Sequence, residues 1–159
     1  GHYSDGVAER FPQAMRPGPL VNVQGVTIGK HAGIGAYTVG QRKGLGVALN
    51  EPAYVVAIKP EANAVVVGPE RALYAAAALA DELMLTSVRA LEPGRPVLAK
   101  IRYKAEKMPA RAYPLEGARL RVVFDTPQRA VTPGQAIVLY DDDVVLAGAT
   151  IDETVPAAT

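Results

Sequence analysis

Val97-Leu98-Ala99-Lys100-Ile101-Arg102-Tyr103-Lys104 alternates with a period of two. Val97, Ala99, Ile101 and Tyr103 fall on one side, and Leu98, Lys100, Arg102 and Lys104 on the other. That period belongs to a β-strand with one face on a core and one in water. The outer row sets three cations ~7 Å apart, near the spacing of phosphates along one nucleic-acid strand. A solvated sheet face with unpaired lysines would give the same pattern, so the alternation leaves both readings open.

Similar segments flank this one: Glu82–Val88, Ala110–Leu115, Arg119–Phe124, Ala136–Tyr140 and Val144–Ile151. Turn chemistry separates them at Pro93-Gly94, Glu116-Gly117, Thr132-Pro133-Gly134 and Asp141-Asp142-Asp143. Short strands at this spacing predict a small six-stranded closed barrel over 81–152, in which closure removes exposed edges. Within Arg119–Phe124, Leu120, Val122 and Phe124 point one way and Arg119 and Arg121 the other. If that strand neighbours Val97–Lys104, a five-cation surface results. The run 153–159 is expected to fray.

Upstream, 1–80 is expected to form a small β-rich central domain with short helical turns. Val7–Met15 reads as a helical turn or two, stopped by Pro17-Gly18-Pro19. Leu20–Val23 and Val26–Lys30 form a hairpin about Gln24-Gly25. Ile34–Val39 and Pro69–Tyr74 are single helical turns, the second opened by proline. Tyr54–Ile58 and Val65–Gly68 pair across Pro60-Glu61-Ala62-Asn63. Ala75–Ala80 reads as the junction between the two domains. The fold class is therefore mainly β.

Six glycines lie between Gly29 and Gly46, and the last three enclose a polar tip, Gln41-Arg42-Lys43. Glycines suit positive φ or close approach, so the tip suits an anion or an interface with another domain. A merely solvated, turn-rich loop fits equally. The spacing Gly40-x-x-x-Gly44-x-Gly46 matches neither a P-loop nor a dinucleotide fingerprint.

Of the 159 residues 49% are hydrophobic, which supports a packed core. With no cysteine, the chain holds neither a disulfide nor a thiol nucleophile. The only histidines, His2 and His31, exclude a histidine-rich metal site, so no metal or cofactor is expected on this chain. No Ser–His–acid set is legible, and no catalytic residue is assigned. No apolar run approaches ~18 residues, so no membrane association is expected and the location is read as cytoplasmic. The net charge of +1 hides an asymmetry: Arg95 to Arg121 carries eight cations against two anions, while Asp125 to Thr159 carries Arg129 against six acids. Such a region suits a polyanion, or is a set of charges scattered round a barrel.

Three motifs together resemble the C-terminal half of bacterial tRNA-specific 2-thiouridylases (MnmA). They are Tyr37-Thr38-Val39-Gly40-Gln41-Arg42-Lys43-Gly44-Leu45-Gly46, then Lys100-Ile101-Arg102-Tyr103-Lys104, then Phe124-Asp125-Thr126-Pro127-Gln128-Arg129-Ala130-Val131-Thr132-Pro133-Gly134-Gln135. The likeness runs from about Ser4 to Ile151. It implies a central domain followed by a barrel similar to those of elongation factors. It also implies the tRNA-recognition part of a transferase that places sulfur at C2 of the wobble uridine, with ATP, magnesium and a cysteine persulfide supplied elsewhere in the intact protein. The fragment alone should then be inactive. The implied partners are tRNA, the catalytic N-terminal domain of the same protein and, as a further candidate, a sulfur-relay protein. The family's tRNA contacts fall on Arg102, Tyr103 and Gln135, with Lys100, Lys104 and Arg129 as neighbouring candidates. Tyr103 lies on the inward side of the alternation, so either the strand bulges there or the residue is a core tyrosine. Gln41, Arg42 and Lys43 are candidates for an interface or RNA-facing loop. A β-barrel module that docks a protein or scaffolds another domain, with no RNA contact, is the alternative.

Overall fold

The computed structural model describes residues 15–42, 53–101 and 106–157. The chain divides into two units, Gly1–Leu73 and Tyr74–Thr159. The described part of the first unit is a four-stranded sheet. Its strands are β1 (Gly18–Val21), β2 (Thr27–His31), β3 (Tyr54–Lys59) and β4 (Ala64–Gly68), in the order β2-β1-β4-β3. The two hairpins read from sequence are both present, and β1 joins them by pairing parallel to β4. In the first hairpin Asn22 Oδ1 accepts from the backbone N–H groups of Gln24 and Val26, at 3.0 and 2.9 Å. The expected helical turns are short 3₁₀ segments at Ile34–Ala36 and Glu70–Leu73. Val7–Met15 lies almost wholly outside the described residues.

The core of this unit is Leu20, Val55, Val65 and Val67, with Ile28, Ile34, Tyr37 and Val39 packed against it. One polar cluster is buried beside the strands. Gly33 N–H donates to His31 Nδ1 at 3.0 Å, so the ring proton resides on Nε2, which donates to Asn63 O at 2.6 Å. Asn63 takes a left-handed conformation (φ 49°) and donates through Nδ2 to the carbonyls of Arg16 and Pro17. Gly18 packs against the Asn63 carbonyl and the His31 ring, leaving no room for a Cβ.

The second unit is a closed barrel of six antiparallel strands: β5 (Tyr74–Leu85), β6 (Arg95–Ile101), β7 (Met108–Leu115), β8 (Arg119–Arg129), β9 (Ala136–Asp141) and β10 (Val144–Pro156). Round the barrel they run β10-β5-β8-β7-β6-β9. Alternation sends Val97, Ala99 and Ile101, and Leu120, Val122 and Phe124, inward as read from sequence. The interior alternates large residues (Ile101, Ile137, Leu139, Ile151) with small ones (Ala78, Ala80, Ala99, Ala112), as a narrow lumen demands.

The structure corrects several sequence expectations. Ala75–Ala80 is no junction: it is the first half of β5, hydrogen-bonded to β8 on one side and β10 on the other. The unit boundary therefore falls at Leu73/Tyr74 rather than at 80/81. Glu153–Pro156, expected to fray, pairs with Ala75–Leu79. The strand Arg119–Phe124 continues to Arg129 across a bulge, where Ala75 faces Gln128 but Ala77 faces Val123. Finally, β6 and β8 are not neighbours; β7 lies between them, so the contiguous five-cation surface does not form in that way.

Candidate nucleic-acid interface

Because β8 reaches Arg129, the connection to β9 is only Ala130–Gln135. It holds a tight turn, Thr132-Pro133-Gly134-Gln135. Gln135 N–H donates to Thr132 O at 3.3 Å, and Gly134 takes φ 92°. Proline followed by a positive-φ glycine is the type II arrangement, at the Thr132-Pro133-Gly134 turn read from the sequence. The Gln135 side chain folds back on this turn, its Oε1 accepting from Thr132 N–H at 2.9 Å. The backbone of the turn is tied to β10: Gly134 N–H donates to Ile151 O (2.7 Å), and Ile151 N–H to Gln135 O (2.8 Å). The acceptor end of the amide is thus engaged in the loop. What Gln135 can offer a ligand is its Nε2 hydrogens.

The same device occurs in the first unit, and sequence reasoning missed it. In Thr38-Val39-Gly40-Gln41, Thr38 N–H donates to Gln41 Oε1 at 3.0 Å and Gln41 N–H to Thr38 O at 3.0 Å. Gly40 takes φ 95°, and the turn is tied to β3 by Gly40 N–H to Val55 O and Val55 N–H to Gln41 O, both 2.8 Å. The shared signal was the spacing Thr-x-Gly-Gln at 38–41 and 132–135. Gln41 is therefore part of a pinned turn and not a loose tip. It has a further interaction of its own. Arg42, next in sequence, is exposed.

Arg129 is half-buried within β8 opposite Tyr74, and it is engaged by an interaction of its own. It belongs to the strand and not to the connection that follows it. Lys100 is half-buried on the outward side of β6, opposite Val138 of β9. The β6–β9 ladder ends at Ile101↔Ile137, two residues short of Gln135 on one strand and of Tyr103 on the other. Arg102, Tyr103, Lys104 and Lys43 lie outside the described residues.

The acids of the second unit settle which cations of Arg95–Arg121 are neutralised. Arg95 meets Asp141 at 3.2 Å, and Lys107 meets Asp143 at 3.0 Å while lying 4.2 Å from the centre of the Tyr140 ring. Arg119 is held between Asp81 (2.8 Å) and Asp152 (3.0 Å). Among the described residues Lys100, Arg111 and Arg121 have no carboxylate partner. Nor do three or more metal-ligating side chains converge anywhere among them.

Residues 5–69 match the family model for the tRNA methyl transferase PRC-barrel domain, and 81–151 that for the aminomethyltransferase β-barrel domain. The tRNA-specific 2-thiouridylase MnmA of Acetivibrio thermocellus is 50% identical over 149 residues, which cover 94% of this chain and 42% of the relative. The protein of the same name from Roseiflexus castenholzii is 46% identical over 151 residues, 95% and 41% respectively. The chain belongs to the tRNA-specific 2-thiouridylase family. It spans about two fifths of the length of these curated relatives. The motif positions Lys100 and Gln135 both fall at the end of the barrel where β6 finishes and β9 begins.

Proposed function

We propose that this chain is the tRNA-recognition portion of a tRNA-uridine 2-sulfurtransferase. In the intact protein ATP and a cysteine persulfide would drive 2-thiolation of the wobble uridine. The relatives named for that activity match nearly the whole chain, which favours sulfur transfer over the methyl transfer in one domain description. The observation that carries the RNA reading is the outward Lys100, without a carboxylate partner among the described residues, at the barrel end that also holds the pinned Gln135 turn. A lysine offers a point charge to phosphate, and the Gln135 amide offers donors to a phosphate, ribose or base acceptor. Arg102, Tyr103, Lys104 and Arg129 belong to the same reading from sequence, as do Gln41, Arg42 and Lys43 for a domain interface or RNA.

The residues present do not fit ATP, magnesium or a persulfide: there is no cysteine or phosphate-binding glycine loop, and no metal-ligating cluster among the described residues. No chemical step is assigned to this chain, and incubating it with tRNA, ATP, magnesium and a persulfide donor should yield no 2-thiouridine. The direct test is titration of the chain with unmodified tRNA at several salt concentrations. Affinity that falls linearly on a log–log plot supports the reading; absence of binding refutes it. The docking alternative draws on Met84, Leu85, Leu115 and Val144, exposed at the end where β5 and β7 finish and β10 begins.

A further inference from the structure

Charge is segregated round the barrel. All the lysines and arginines carried by its strands lie on β6, β7 and β8: Arg95, Lys100, Arg111, Arg119, Arg121 and Arg129. Those three strands are contiguous and bear one carboxylate, Asp125. The strands β9, β10 and β5 bear Asp141, Asp152, Glu153, Asp81 and Glu82 and no cation. The ion pairs made by the strand cations sit at the borders between the two arcs, where Arg95 reaches Asp141 of β9 and Arg119 reaches Asp81 of β5 and Asp152 of β10.

In the middle of the basic arc two exposed arginines remain. Arg111 of β7 faces Val123 of β8, and Arg121 of β8 faces Tyr113 of β7. They are diagonal neighbours across one antiparallel pair, ~7–8 Å apart. Both are held in place. Arg111 Nη1 donates to Gly94 O at 3.0 Å, a single bond at an exposed position. The Arg121 guanidinium lies 5.9 Å from the centre of the Tyr113 ring, which in turn rests over Gly94. Asp125 is the other diagonal neighbour of Arg111 and makes no ion pair with it.

We propose that Arg111, Tyr113 and Arg121 form a second RNA-backbone contact on the outer wall of the barrel, away from the end that holds Gln135. The proposal rests on the tRNA reading above. Planar guanidinium forks suit phosphate oxygens, and anchoring them beforehand lowers the entropy lost on contact. The Tyr113 ring steadies the Arg121 guanidinium. The acidic arc repels a polyanion, so RNA meets the barrel from one side.

The test is a salt titration of tRNA binding to the 159-residue chain, wild type against Arg111→Gln/Arg121→Gln, which keeps much of the stems that cover Tyr113. Losing two phosphate contacts reduces the salt slope by about 1.5, and Arg111→Lys/Arg121→Lys restores most of it. Arg95→Gln, whose charge Asp141 already neutralises, leaves the slope unchanged. Wild-type affinity and slope in a normally folded Gln pair overturn the proposal while leaving tRNA binding intact; failure of the wild type to bind overturns the broader reading and this proposal with it. Should the Gln pair melt early, Asp125→Asn decides: removing the one acid of the arc tightens tRNA binding, and unchanged affinity refutes the contact.

Discussion

Replacing Gln135 separates two roles that the sequence alone left merged. Gln135→Ala removes the acceptor of Thr132 N–H, a partly buried bond of 2.9 Å. Leaving such a donor unpaired costs about 1 kcal/mol, at the low end of the buried range because water reaches part of the loop. For a unit of this size that lowers its melting temperature by roughly 4–8 °C. Read from sequence as an RNA-facing tip, Gln135 would be lost with almost no change in stability; read as a residue bonded to its own backbone, it would not. Gln135→Glu keeps an oxygen for Thr132 N–H and makes that bond charge-assisted, so stability is retained. It also removes the Nε2 hydrogens and sets a carboxylate where the RNA would lie. At 0.15 M salt exposed charges interact only within about 8 Å, so only a direct contact is strongly affected. Differential scanning calorimetry and tRNA titration on the same samples should give a lowered melting temperature for Ala. For Glu they should give near-wild-type melting with at least a tenfold loss of affinity. Wild-type tRNA affinity in Gln135→Glu would refute the RNA contact; wild-type melting in Gln135→Ala would refute the staple.

Other perturbations test the frame. Gly18→Ala drives a Cβ into the Asn63 carbonyl and the buried His31 ring; chemical denaturation should show a loss of about 1–3 kcal/mol in the first unit. Arg119→Ala breaks half-exposed bridges to Asp81 and Asp152; it should cost about 0.5–1 kcal/mol at low salt and little in concentrated salt, read from urea melts at both. Native-state hydrogen exchange should find the Gly40 and Val55 amides protected together, since each is bonded into the Thr38–Gln41 turn and β3. Fast exchange at both would show that the turn is not pinned to β3.

Much of the frame was legible because it rests on local chemistry. The Tyr54–Gly68 hairpin announces itself by β-branched runs about a proline turn, and the Pro133-Gly134 turn by residues that suit only a few φ/ψ values. Ala75–Ala80 was not legible, because its alanines carry no strand propensity. They are selected for a narrow lumen that exists only once β8 and β10 close around them. The run Asp125-Thr126-Pro127 reads as a loop by composition but is an exposed bulge within β8, closed by Gln128 Nε2 to Thr126 O at 2.8 Å. At the candidate site, the cations were visible and their pairing was not. Arg95 and Asp141 stand 46 residues apart, and Arg119 and Asp81 38, distances at which a single sequence says nothing about contact.

That pairing bears on how a protein of net charge +1 would bind RNA under the proposed reading. Nonspecific affinity depends on the local field at the contact surface and not on the total charge. Had the six strand cations been spread evenly round six strands, each would have faced a carboxylate-bearing neighbour, and the barrel would present alternating signs to any polyanion. Confining them to β6–β8 leaves the acids of β9, β10 and β5 able to reach only the border arginines. The acids hold down the self-repulsion that a uniformly basic barrel would suffer, and under the proposed reading they would deny RNA the opposite wall. Steering is therefore expected to depend on the acids as well as on the arginines. Neutralising Asp152 and Glu153 together should speed association with tRNA while relaxing its orientation, whereas an evenly charged barrel would gain speed with no orientation to lose.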